Sequence, residues 1–533
     1  MSADDVQRSL LCTFIPADDM ATSDEFVPDA VIPHQTLPPL RYRDMPEPIP
    51  WTRMVGPSIM LAGLSLGSGE FIIWPYIVYK SGFIFFWACM LGVITQYFVN
   101  MEIERWTLVT GESAITGFCR LSRHWAWIML LMNTLPWIWP GWATGAATIV
   151  SWLCFGPVET VSSTGQTVLT TPHVAYLAIA SLWMVGIILT LGPVVYNTVE
   201  KVQLFLVGAI FVTAIVIGAL VIRPDAVSQM LQNSVNFGAL PPAESGLDLM
   251  MLLGALAFAG AGGTMNLGQS NFIKEKGYGM GKYIGRITSP ITGQEEPVHD
   301  IGYHFHHTPE NMSRWRGWWR AANIEHFFSF FITCVVCLVL LSLISYSLFY
   351  DAKQQLVPET ANLGTGMNFV WGQALLLEQR FGEIVRLLFL LMGIAILLTT
   401  EFGVLDATAR ISTDILKVNY LRENPDWTSS RLYYCVLWGV ILFGSVILLI
   451  GAWVPDFKEP LFLLRTSAAM NGGVMFLYSL ILLYMNNKIL SRSLSMSPLR
   501  FVAMVWACAF FGYFSLQAVQ LEVFPLVQEY FSR

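Results

Sequence analysis

Two stretches of this chain set polar chemistry inside apolar sequence. Gly67-Ser68-Gly69-Glu70 interrupts a run that starts at Gly56-Pro57 and continues through Trp74 to Tyr79. A second run, apolar from Leu252 to Phe258, gives way to Ala259-Gly260-Ala261-Gly262-Gly263-Thr264-Met265-Asn266, and then to Gln269 and Asn271. Each glycine disfavours a helix by about 1 kcal/mol relative to Ala. A charged side chain at membrane depth costs at least ~2.5 kcal/mol on insertion scales. Unwinding at such points frees carbonyl oxygens at the ends of the first half-helices and amides at the starts of the second. With the Glu70 carboxylate beside them, the carbonyl ends suit a cation. Asn266, Gln269 and Asn271 either add amide oxygens as ligands or satisfy unwound backbone.

The elements that must hold these breaks are membrane helices. The chain has 533 residues, 54% hydrophobic and 13% charged, with a mean hydropathy of +0.55. A soluble protein carries roughly a quarter charged residues, so lipid must be the solvent. Apolar runs of about 20 residues, enough to cross a hydrocarbon core of about 30 Å, lie near 54–79, 82–104, 126–154, 173–191, 196–222, 247–273, 321–350, 384–409, 432–451, 461–485 and 500–526. The breaks fall in the first and the sixth spans. Interrupted helices at matching positions of two halves point to the substrate site of an inverted-repeat transporter; the blander reading is close helix packing through small residues.

The expected organisation is a disordered cytoplasmic tail over 1–50, a first five-helix repeat over 51–225, a second over 245–487 with a cytoplasmic loop at 277–320, and an eleventh helix with the C-terminus over 498–533. The opening MSADDVQRSL lacks the features of a cleaved signal. Lys and Arg concentrate in the segments on the N-terminal side, which predicts a cytoplasmic N-terminus. Net charge is −7, and no nucleic-acid partner is expected. Gly277, Gly279, Gly281 and Lys282 do not complete a phosphate loop, so no ATP is expected. Cys334 and Cys337 sit in a span and read as packing.

The residues GPSIMLAGLSLGSGEFIIWP, followed by GVITQYFVNMEIERWTLVTGES, resemble the opening of the Nramp divalent-metal transporters, in particular a divergent bacterial Nramp-related branch. The resemblance covers roughly 54–485 and is strongest over 54–121. It implies an all-α polytopic LeuT-like fold, an inverted repeat of five plus five helices with one extra C-terminal helix. The family's first break, Asp-Pro-Gly-Asn, is matched by Gly67-Ser68-Gly69-Glu70, and its second-helix Gln and Thr-Gly by Gln96 and Thr110-Gly111. Its sixth-helix Met-Pro-His falls at Thr264-Met265-Asn266. The departures replace a sulfur ligand by oxygens, which suits a harder ion, although a shift of one residue returns the sulfur of Met265. The third span holds no Asp, Glu, His, Arg or Lys between Ala126 and Cys154, so the resemblance carries over no proton-coupling residues there.

The expected substrate-binding set is Glu70, Gly67, Ser68, Gly263, Thr264 and Asn266, with Glu70 and Asn266 as the metal ligands. Gln96, Glu401 and Asn471 are cavity or coupling candidates; Asn471 is placed there by the resemblance. Asp406 and Arg410, four apart, predict a structural ion pair. Asn133, Pro136, Trp137, Trp139 and Pro140 predict a kinked, aromatic third span. His299, His304, His306 and His307 either sense a metal or belong to an amphipathic segment. The expected function is a non-enzymatic secondary transporter or facilitator of divalent cations (Mg or Mn type) across the cytoplasmic membrane, with no cofactor besides the transported ion. The alternatives are a LeuT-fold carrier of a small organic solute or monovalent cation, and a membrane sensor that does not transport.

Overall fold

A chain dissolved in hydrocarbon must satisfy its own backbone hydrogen bonds, so the apolar runs fold as helices. The computed structural model describes residues 26–50, 54, 56–161, 167–171, 173–247, 249–257, 259–294, 296, 298–357, 363–453, 461–520 and 524. Helix α1 (Pro57–Ser65) is separated from α2 (Trp74–Ser81) by a break and a π turn at Gly69–Ile73, and the two halves meet at 45°. Helix α3 (Phe86–Thr110) ends on Gly111 at φ 70, a left-handed cap. Helix α4 (Ala114–Leu121) starts on Ser113, whose hydroxyl accepts the Thr116 amide. The third span is α5 (His124–Thr134) and α6 (Gly141–Phe155), parted by a segment holding Pro136 and Pro140, which lack the amide a helix needs. A β2–β3 hairpin (Val158–Val161 with Thr167–Thr170) then leads to α7 (Val174–Leu191), α8 (Val195–Val221) and α9 (Pro224–Ser234).

The sixth span is again two pieces, α10 (Leu249–Ala257) and α11 (Met265–Lys276). Helices α12 (Pro309–His326) and α13 (Thr333–Phe349) are joined through a π segment at Phe327–Ile332. Then follow α14 (Met367–Phe381), α15 (Glu383–Asn419), α16 (Ser429–Trp453), α17 (Leu461–Tyr484) and α18 (Pro498–Ala518). Among the described residues six helices are long and apolar enough to cross a membrane, or seven with the bent first pair. Helix α3 carries Glu102, Glu104 and Arg105, and the third and sixth spans are split, so they fall outside that count while still corresponding to expected spans. Helix α14 was not expected, and α15 runs well beyond 384–409.

Helix α15 packs along α1, α6, α8 and α16, while α11 packs on α1 and α3. The two broken spans therefore share one polar interior. The predicted Asp406–Arg410 pair forms there at 2.8 Å, and Arg410 also reaches Glu275. Cys334 and Cys337 are free and buried.

Residues 1–25 lie outside the described residues, but 26–50 depart from the expectation of a solvated tail. Strand β1 (Arg41–Tyr42) pairs in parallel with β4 (Tyr303–His304) of the long loop. Trp318 donates its indole N–H to the Pro46 carbonyl at 2.8 Å, and Asn311 joins Asp44 to the Met45 amide. Val27, Ile32, Leu37, Leu40 and Met45 are all buried. Single apolar residues spaced among prolines give no helical or strand period, so the anchoring is invisible to pattern reading. Two of the four loop histidines take part in this contact: His306 stacks on Tyr42 at 3.9 Å, and burial pushes His304 down to about 4.

Candidate functional site

Helix α1 stops at Ser65, so the carbonyls of its last turn run out of intrahelical partners. The second break is sharper. Gly260, Gly262 and Gly263 have φ of 136°, 69° and 53°, conformations that L side chains rarely adopt. The two breaks meet at a small cavity of about 10 Å³, near the least that holds one water, lined by Leu64, Ser65, Gly67, Ser68, Gly69 and Glu70 from one, and Gly260 and Ala261 from the other. Trp137 and Trp142 from the third span, with Thr400 and Val404 from α15, close it.

Glu70 is 1% exposed. Its Oε2 accepts the Gly67 amide at 3.1 Å, and the carboxylate also lies close to the Gly260 backbone. Oε1 is buried without a hydrogen bond. A buried polar atom of this kind, at the junction of two unwound helices, calls for a partner. Thr400 donates its hydroxyl to the Leu66 carbonyl at 2.9 Å, holding the first break in shape. A Cβ on Gly67 would meet that hydroxyl oxygen at 2.9 Å, so the position is closed to larger residues.

Gly67, Ser68 and Glu70 thus line the pocket, whereas the other expected residues stand behind it. Thr264 accepts the indole N–H of Trp137 at 2.9 Å. Gln96 abuts Gly260, and Asn471 abuts Gly263 together with Trp137. Asn266 is drawn the other way: its amide nitrogen donates to Tyr478 at 3.1 Å, and it does not line the pocket. Glu401 meets no Lys or Arg among the described residues; its Oε2 accepts the Ala143 amide at 3.2 Å in the first turn of α6. That is the negative partner a helix N-terminus favours. Met265 is buried and, like Asn266, lies off the pocket lining, whose side-chain donors to a cation are oxygens only.

Thr400 and Trp142 carry no signal that sequence spacing isolates. A second buried group, Glu104 with Glu325 and His326, was also missed. Its signal was present, since ionisable residues inside apolar spans are functional candidates by default.

No family model and no curated protein matches the chain. Solved structures do. A manganese transporter from Eremococcus coleocola matches with a TM-score of 0.63 at 12% identity, over 90% of this chain and 90% of that one. The same transporter in complex with an aromatic bis-isothiourea substituted compound matches with a TM-score of 0.61 at 13% identity, over 88% and 86%. The chain therefore has the Nramp-like, LeuT-like fold expected of it: an all-α multi-pass membrane protein built around two broken helices.

Proposed function

We propose that this protein is a secondary transporter or facilitator of divalent metal cations, working by alternating access around the pocket between the first and sixth spans. The observation that carries the reading is the buried, unpartnered Oε1 of Glu70 at the meeting point of both breaks. The fold of a manganese transporter supports it. The oxygen-only lining favours hard ions, Mg or Mn, over softer ones. Glu70, Gly67 and Ser68 hold the ion directly. Gly263, Thr264, Gln96 and Asn471 shape the second break, and Asn266 joins the ligand set only if α11 turns. The divergent Nramp-related branch, a cytoplasmic membrane and a cytoplasmic N-terminus complete the proposal.

Two charges moving down 100 mV gain about 4.6 kcal/mol, enough to concentrate a dication without proton coupling. The decisive experiment is uptake of Mn²⁺ and Mg²⁺ into liposomes by the wild-type protein and by Glu70→Gln. Loss of uptake in a folded variant is expected. Undiminished uptake would remove Glu70 from the site.

A further inference from the structure

Away from the central pocket, at the α1 N-terminal end of the bundle, four elements bring polar side chains to one point. Ser58 comes from α1, Glu104 from α3, Gln269 from α11, and Glu325 with His326 from the end of α12. Glu104, Glu325 and His326 are each at most 5% exposed, and each offers a donor atom within 4.8 Å of the other two. His326 Nδ1 lies 3.3 Å from Glu104 Oε1 and 2.9 Å from Ser58 Oγ, and Ser58 also touches Glu325. Gln269 donates to Glu104 at 2.7 Å and to Ser58 at 3.2 Å.

Two observations favour a cation at this point. Among the described residues, neither carboxylate pairs with Lys or Arg; Arg500, whose field reaches Glu104, bonds Glu102 and Asn323 instead. Two ionised carboxylates buried without a cationic partner are strongly disfavoured, and a bound metal ion or protonation relieves that cost. Further, Gln269 is fully buried and its Oε1 has no partner. In the present orientation the amide nitrogen faces the cluster; exchanging the two ends is isosteric, and would give up the hydrogen bonds to Glu104 and Ser58 and turn the oxygen toward a bound ion in their place. The helix departs from α geometry immediately after His326, at the π segment Phe327–Ile332, a distortion frequent at functional sites.

We infer that Glu104, Glu325 and His326, completed by Ser58 and Gln269, form a second site for a first-row transition-metal dication. One imidazole and two carboxylates suit Mn²⁺, Fe²⁺, Co²⁺ or Zn²⁺ better than Mg²⁺. Metal bonds near 2.1 Å place ligand atoms about 3–4 Å apart, so side-chain shifts of up to about 1 Å close the present cluster, whose ligand atoms lie within 4.8 Å of one another, around an ion. Because Ser58 rides on α1 and Gln269 on α11, the site exists only while both half-helices are docked on α3 and α12. Bound metal therefore holds this end of the bundle shut. The inference needs no transport activity and stands apart from Glu70.

The test is Co²⁺ and Mn²⁺ binding to the purified full-length protein. The wild type is expected to bind two Mn²⁺ per chain, Glu70→Gln one, and Glu70→Gln combined with His326→Gln none with comparable affinity, a loss of about 100-fold. Mn²⁺ held by the Glu70→Gln protein should show ¹⁴N hyperfine coupling from one imidazole, and His326→Gln should abolish it. Glu325→Gln, which changes one atom, is a second route should His326→Gln misfold, and should also remove the ion. Retention of the ion and of the ¹⁴N coupling in both variants would overturn the inference. A wild type that binds one ion, lost with His326→Gln and kept in Glu70→Gln, would uphold this site and reject the central one.

Discussion

Trp137 donates its indole N–H to the hydroxyl of Thr264 across 2.9 Å, tying the gap in the third span to the break in the sixth. The ring of Trp137 also stacks on Trp142 at 5.6 Å, and both line the pocket that contains Glu70. Three interrupted helices are thereby joined at one point. A hydrogen bond of this kind contributes about 1 kcal/mol. Trp137→Phe keeps the stack and removes only the donor. Thermal unfolding should show a modest loss, while uptake in liposomes should fall by about tenfold because the second break loses its register. An unchanged uptake rate would make the contact merely structural.

Gly67 and Thr400 form a steric pair. Gly67→Ala drives a Cβ against the Thr400 hydroxyl, and the chain must move at the first break. Loss of about 1–3 kcal/mol is expected from overpacking. Thr400→Ala removes the obstructing atoms, leaving the nearest Thr400 atom at 3.6 Å. The double variant should therefore be more stable than the sum of the single changes predicts, which a thermal double-mutant cycle measures. Strict additivity would contradict the geometry.

Glu401 acts as the acceptor for the first turn of α6. Glu401→Gln should lower stability by about 1 kcal/mol through the helix end, with little change in Mn²⁺ affinity measured by calorimetry. A large loss of affinity at unchanged stability would return Glu401 to an ion path.

The anchoring of residues 26–50 should depend on pH. His304 lies on the strand that pairs with Tyr42, and its carbonyl accepts the Arg43 amide at 2.8 Å. Burial, then the neighbouring His307 and His306, lower its value from 6.5 to about 4. The folded state thus binds fewer protons than the unfolded one. Stability from neutral His304 is complete above pH 6.5 and falls as the pH drops towards 4, by about 3 kcal/mol in total. Amide exchange at Tyr42 and Arg43, corrected for intrinsic rates, should accelerate over that window, and His304→Asn should flatten the dependence. Equal pH dependence in the variant would assign the effect elsewhere.

Composition, span length and the two polar interruptions were legible in the chain alone, because a hydrocarbon solvent tolerates so few alternatives to an apolar helix. The glycines near 67 and 260–263 announced unwound backbone for the same reason. Asn266 and Glu401 were placed less well. Spacing locates a residue along a helix, but which way a short helix faces depends on what packs against it, and Tyr478 and the start of α6 decided those two.

What the residues settle unaided is a membrane-embedded helical chain with a carboxylate at a break, since insertion energies act locally on each segment. Only the folded arrangement brings Glu70 to Gly260, Trp137 to Thr264, and Glu104 to Glu325 and His326. Those partners each lie more than a hundred positions apart, and their meeting follows from how α1, α3, α11, α12 and α15 share one interior, a property of the assembled bundle that no local pattern carries.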